Sequence, residues 1–147
     1  MKWATRKQIR VNRTATAWLI QRFIDPAAEF LFVEPQEVAK IERQEKAIGF
    51  DAPGTKYSHA TGVTSFEQLL VHYKLQDPIL KEMTRIVHGA DIAGQEKITP
   101  ESAGLRTISH GFPLVTHNDH ETLEKAFFVY DALYASLKER LNSAREH

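Results

Sequence analysis

Apolar positions along the chain fall into two regimes. In the first fifty residues, short runs suited to strands alternate with stretches of helical period. After residue 64 only the helical period continues. Lys2 to Arg6, with a continuation over 8–11, alternates as a strand does. Ala15, Trp18, Leu19, Ile20 and Phe23 recur at helical spacing, predicting a helix from Arg13 to Ile24 that Asn12 or Thr14 caps and Asp25-Pro26 stops. Glu29 to Val33 is an aromatic and β-branched run that reads as a buried strand. A helix over Gln36 to Ala47 and a short strand at Ile48-Gly49-Phe50 complete a strand–helix–strand–helix–strand order. That order predicts a small sheet with crossover connections.

Periodicity stops between Asp51 and Gly62, where Asp51-Ala52-Pro53-Gly54 is turn chemistry. A stretch this long without its own structure is more often functional than idle. Four helices follow. Thr64 or Ser65 opens Phe66–Tyr73, and Asp77-Pro78 opens Ile79–Ala90. Thr99-Pro100 opens Ser102–His110, which Gly111 ends, and Asp119 caps a last helix from His120 to about Leu141. The expected fold is therefore α+β and predominantly helical, with an N-terminal sheet of about three strands under a helical layer. One domain over all 147 residues is expected.

Composition narrows the classes of function. Lys plus Arg and Asp plus Glu are 19 each, so the chain shows no basic excess of the kind that nucleic-acid binders carry. DNA or RNA is not expected as a partner of this chain alone. Cysteine is absent, which removes disulfides, thiolate ligands and cysteine nucleophiles. No apolar run reaches membrane-spanning length and no hydrophobic signal core opens the chain, so a cytoplasmic location without membrane contact is expected. The apolar stripe of the last helix, Leu123, Phe127, Tyr130, Tyr134, Leu137 and Leu141, would serve equally to seal the core or to pair two copies as a homo-oligomer.

Two groups of residues suggest chemistry. Arg6, Arg13 and Arg22 gather around the first helix with Trp3 and Trp18. A cation near a helix N-terminus is unfavourable unless an anion answers it. The answer is either a structural carboxylate or a small anionic ligand. The second group is histidine-based. His88 and Asp91 lie three apart at a helix end, where two side chains share a face, and His59 stands in the aperiodic segment that Asp51 opens. Two imidazoles and one carboxylate suit a divalent ion such as iron, manganese or zinc. A helix-terminal histidine is equally explained as a partner of the helix dipole. His117 and His120, with His110 upstream, form a second pair at ligand spacing, better explained by capping. No Gly-x-Ser-x-Gly elbow is present, and Ser58 beside His59 makes no nucleophilic pair.

Trp3-x-Thr5-Arg6, then Arg13-x-Ala15-x-x-Trp18-Leu19-Ile20-x-Arg22-Phe23-Ile24-Asp25 and Ala28-Glu29-Phe30-Leu31-Phe32-Val33, resemble the C-terminal domain family of chromate-resistance protein B. The likeness continues through Phe50-Asp51-x-Pro53-Gly54, His59, Ser65-Phe66, Ile86-Val87-His88-Gly89-Ala90-Asp91, Ala103-Gly104 and Tyr130-Asp131-Ala132-Leu133-Tyr134. The family often carries Asp, Cys and Pro where this chain has Asn12, Thr16 and Ala17. The resemblance implies a setting of chromate and oxidative stress and strengthens the metal reading, because His59, His88 and Asp91 fall within the matched blocks. Two functions are then expected as alternatives. One is a metal-dependent enzyme acting on a small anionic or oxyanion substrate, with His59, His88 and Asp91 on the metal, Arg13, Arg22 and Asp51 catalytic, and Arg6 and Trp18 binding substrate. The other is a non-catalytic oxyanion-sensing or regulatory domain of the chromate response.

Overall fold

A computed structural model describes residues 1–58 and 62–146. Its sheet has three strands, β1 (Lys2–Arg6), β2 (Glu29–Val33) and β3 (Ile48–Gly49), in the order β2-β1-β3. All pairings are parallel, with Lys2 opposite Glu29, Arg6 opposite Val33, and Trp3 opposite Ile48. Parallel neighbours require crossovers, and two helices supply them: α1 (Val11–Leu19), prolonged by a π-helical turn over Ile20–Ile24, and α2 (Val38–Gln44) after a 3-10 turn at Pro35–Glu37. The remaining helices are α3 (Ser65–His72), α4 (Pro78–Asp91), α5 (Pro100–Val115) and α6 (Asp119–Glu146). The α+β architecture is the one the hydrophobic pattern predicts, and no helix among the described residues is long and apolar enough to cross a membrane.

Helix α1 is the centre of the molecule. It contacts α3, α4, α5 and α6, and every residue in it except Arg13 is buried. Burial on all sides means that its polar residues must find partners inside. Thr14 Oγ1 donates to the Arg10 carbonyl at 2.6 Å and meets the Tyr130 hydroxyl at 2.7 Å. Asn12 Oδ1 accepts from Thr16 Oγ1 at 3.1 Å and from Ser65 Oγ at 3.2 Å. Asn12 and Thr16 are thus joined one helical turn apart and tie α1 to the start of α3.

Several element boundaries differ from the sequence reading. Residues 8–11 form no strand, because Gln8 adopts a left-handed φ of 58° and the chain turns into α1. Neither Asn12 nor Thr14 caps α1. The N-cap is Arg10, without a side-chain bond, and the two polar residues are used inside the core. Asp119 does not cap α6 either. Its two carboxylate oxygens accept the Gln8 and Ile9 amides at 3.1 and 3.0 Å, while Asn118 Oδ1 takes the Glu121 amide at 2.9 Å. Helix α2 stops at Gln44, where Lys46 turns left-handed at φ 54°. Helix α5 runs on through Gly111 and Pro113 to Val115. One glycine costs only about 1 kcal/mol, which packing against α4 and α6 outweighs. Thr64 caps α3 in a full capping box with Glu67, and Asp77 and Thr99 cap α4 and α5 as expected.

Candidate functional site

The carboxyl edge of a parallel sheet is where strands end and loops begin, and ligands of α/β folds collect there. Here that edge is formed by Arg6 at the end of β1 and by Asp51, just beyond β3. Asp51 is 3 % exposed and sits at a left-handed φ of 50° that turns the chain back. Arg6 holds it twice, through Nε to the Asp51 carbonyl at 2.6 Å and through Nη2 to Oδ2 at 3.2 Å. Arg13, in the first turn of α1, donates Nη1 to the same Oδ2 at 3.1 Å and Nη2 to the Gln8 carbonyl at 2.8 Å. Of the residues singled out in the sequence, Arg6, Arg13 and Asp51 therefore form one cluster, and a structural carboxylate answers both cations.

Three donors to one residue leave Asp51 as an acceptor that fixes two guanidinium groups. Arg13 is the more confined of the two, with 14 % of its side chain exposed against 35 % for Arg6. Burial lowers its pKa most, Asp51 opposes that shift, nearby Arg6 adds to it, and Asp91 opposes it more weakly. Its Nε is buried with no hydrogen-bond partner. A buried guanidinium nitrogen left unsatisfied is costly.

Beyond Arg13 lies a cleft of about 450 Å³ between the start of α1, the end of α4 and the middle of α5. Arg10, Arg13, Arg106, His110, Ser109 and Asp91 line it. Arg106 and His110 are one turn apart on α5 and share a face. Arg106 also donates to Glu96 at 2.6 Å, while Ser109 Oγ is buried without a partner. Three guanidinium groups and the Asp91 carboxylate line the cleft, with Asp51 paired to Arg13 and Glu96 to Arg106 beside it.

Arg22 and Trp18 belong elsewhere. Arg22 lies nine positions after Arg13, about half a turn out of phase and roughly 13 Å along the helix. It binds Asp131 of α6 in a two-pronged pair, at 3.0 and 2.9 Å, and its guanidinium lies 5.2 Å from the Phe127 ring centre. Trp18 donates Nε1 to the same Asp131 at 2.7 Å and packs against Phe23, Tyr130 and Tyr134. The Arg22 hydrogen bond, helped by Trp18, holds the Asp131 pKa below the ordinary carboxylate value. These residues clamp α1 to α6, and Trp18, at 1 % exposure, is core.

Of the expected metal set, His88 and Asp91 line different clefts. His59 falls outside the described residues. His88 places Nδ1 3.1 Å from Glu67 Oε1, and Asp91 lines the arginine cleft. Among the described residues no group of three or more His, Asp or Glu side chains could hold a metal ion. The second histidine cluster is dispersed: His110 faces the arginine cleft, His117 bonds Glu121 at 3.0 Å, and His120 packs edge-on to Phe32. Sequence reasoning missed Arg10, Arg106 and Glu67 as site residues. The Arg106/His110 spacing was the signal available for two of the cleft residues, but only the fold brings α5 to the start of α1.

A buried carboxylate thus bridges two arginines at the sheet's carboxyl edge, beside a cleft lined by Arg10, Arg13 and Arg106. The family described as ChrB, C-terminal domain, matches residues 3–137, and the chain belongs to that family. It is 36% identical over 136 residues to Protein ChrB of Cupriavidus metallidurans (strain ATCC 43123 / DSM 2839 / NBRC 102507 / CH34). That alignment takes in 90% of this chain and 40% of the relative, so the chain spans less than half the relative's length. No solved structure matches it.

Proposed function

We propose that this domain binds a small tetrahedral oxyanion of the chromate class in the cleft formed by Arg10, Arg13, Arg106 and His110. The observation that carries the reading is Arg13. A half-buried guanidinium is held in place by Asp51 and the Gln8 carbonyl while its Nε has no partner, beside an arginine-lined cleft. Planar guanidinium groups match the oxygen spacing of oxyanions, and a site already arranged loses little entropy on binding. Asp51, with three donors on it, serves as a positioning residue in this reading, holding Arg6 and Arg13 at fixed angles. The family setting agrees with an oxyanion in kind, and the neutral overall charge agrees with a local site over a polyanion-binding surface.

Binding is the part of the reading that the geometry supports, because Asp51, one of the expected catalytic residues, already accepts hydrogen bonds from two guanidinium groups. A thermal-shift series with chromate, sulfate and phosphate against chloride at equal ionic strength tests it. Stabilisation by the divalent oxyanions is expected. No upward shift with any of them at millimolar concentration would remove the proposal.

A further inference from the structure

A second cleft, of about 820 Å³, opens between α3 and α4 and shares no lining residue with the arginine site. Its walls are apolar, formed by Val63, Leu70, Val71 and Leu75. Val71 is 79 % exposed although every other large aliphatic side chain of α3 is buried. Lys74 and Lys81 stand at the rim, and the one polar pair inside is Glu67 with His88. That volume lies within the range of small-molecule sites, and mostly apolar walls with few convergent polar groups are their usual composition.

The Glu67–His88 pair is what gives the cleft chemistry. Glu67 Oε2 accepts the Thr64 amide at 2.7 Å and the Glu67 amide donates to Thr64 Oγ1 at 3.2 Å, so the capping box immobilises this carboxylate. Its other oxygen lies 3.1 Å from His88 Nδ1. An ionised carboxylate only accepts, so Nδ1 must carry the proton and donate. In the tautomer that donates Nδ1–H to Glu67, the lone pair sits on Nε2, an oriented hydrogen-bond acceptor on a residue that lines the cleft. An acceptor at one end, aliphatic walls and two ammonium groups at the rim fit a flat aromatic ring that carries a hydroxyl. The hydroxyl donates to Nε2, the ring lies against Val71 and Leu75, and the lysines face its π surface.

We infer that the α3–α4 cleft is a binding site for small neutral hydroxylated aromatics, the phenol class, with His88 Nε2 as acceptor. The test compares phenol with anisole, which has the same ring and no hydroxyl hydrogen, by NMR titration of the labelled full chain at neutral pH. Phenol should shift the amides of α3 and α4 saturably and bind about tenfold tighter than anisole, the worth of one hydrogen bond. His88→Phe should bring that ratio to near one. Val71→Glu, at an exposed position that does not touch folding, should weaken both ligands while the melting temperature stays put. Equal affinities for phenol and anisole in the wild type would overturn the inference, as would no saturable shift with either at millimolar concentration.

Discussion

Arg13 and Asp51 meet at 3.1 Å across 38 positions of sequence, and through that contact the first turn of α1 is fastened to the end of the sheet. The same carboxylate oxygen receives Arg6 at 3.2 Å. Removing its charge should therefore leave two cations uncompensated, one of them half-buried. Asp51→Asn is the clean substitution, because asparagine also tolerates the left-handed backbone at this position. It should cost about 3 kcal/mol in urea unfolding. Arg6→Ala, at a more exposed partner, should cost clearly less.

Asp119 gives a second long-range tie. Its carboxylate satisfies the Gln8 and Ile9 amides, which follow β1 and precede α1. Asp119→Ala should destabilise the protein by about 1–3 kcal/mol, and hydrogen exchange at those two amides should accelerate. Unchanged exchange there would show that the contact is not made in solution.

Two helical glycines should respond in opposite directions. A Cβ at Gly89 would come within 2.8 Å of Ser102 Cβ and of Ile98 Cγ1, where α4 crosses α5. Gly89→Ala should cost about 1–3 kcal/mol by overpacking. At Gly111 an added Cβ meets nothing within 4 Å, so Gly111→Ala should stabilise by about 0.5–1 kcal/mol through helix propensity. Chemical denaturation of both variants checks the pair.

High pH should unfold the domain through its tyrosines. Burial, above all, pushes Tyr130 up to about 12, and it does the same to Tyr57 and Tyr134. An unfolded tyrosine loses its proton near its ordinary value of 10. The unfolded state therefore binds fewer protons between the two values, and stability falls there. Melting temperatures should hold up to about pH 10 and drop between pH 10 and 12. Tyr130→Phe, although it loses the bond to Thr14, should show a shallower drop.

How much of this was legible beforehand depends on the range of the interaction. Strands, helices and most caps are local, and the helical spacing of Ala15, Trp18, Leu19 and Ile20 marks a stripe that the fold buries. The extended reading of residues 8–11 failed because Gln8 turns left-handed under contacts with Asp119, 111 positions away. Arg6 and Arg13 were singled out correctly as cations needing an anion, and Asp51 as the residue opening the aperiodic segment. That Asp51 itself is the anion follows only from parallel pairing of β1 and β3. Arg22 looked like a member of the same group, but half a turn of helical phase sends it to Asp131. For Arg106 the one local mark is its spacing from His110, since its place in the cleft depends on how α5 packs beside α1.

Uptake of an oxyanion by the arginine cleft is the central claim about this domain. Calorimetric titration of chromate into the wild type and into Arg106→Ala tests it, because Arg106 is exposed enough to be removed without harm to the fold. The wild type should bind at a single saturable site, and the variant about tenfold or more weakly. Absence of saturable binding, or equal affinity in the two proteins, would contradict the account.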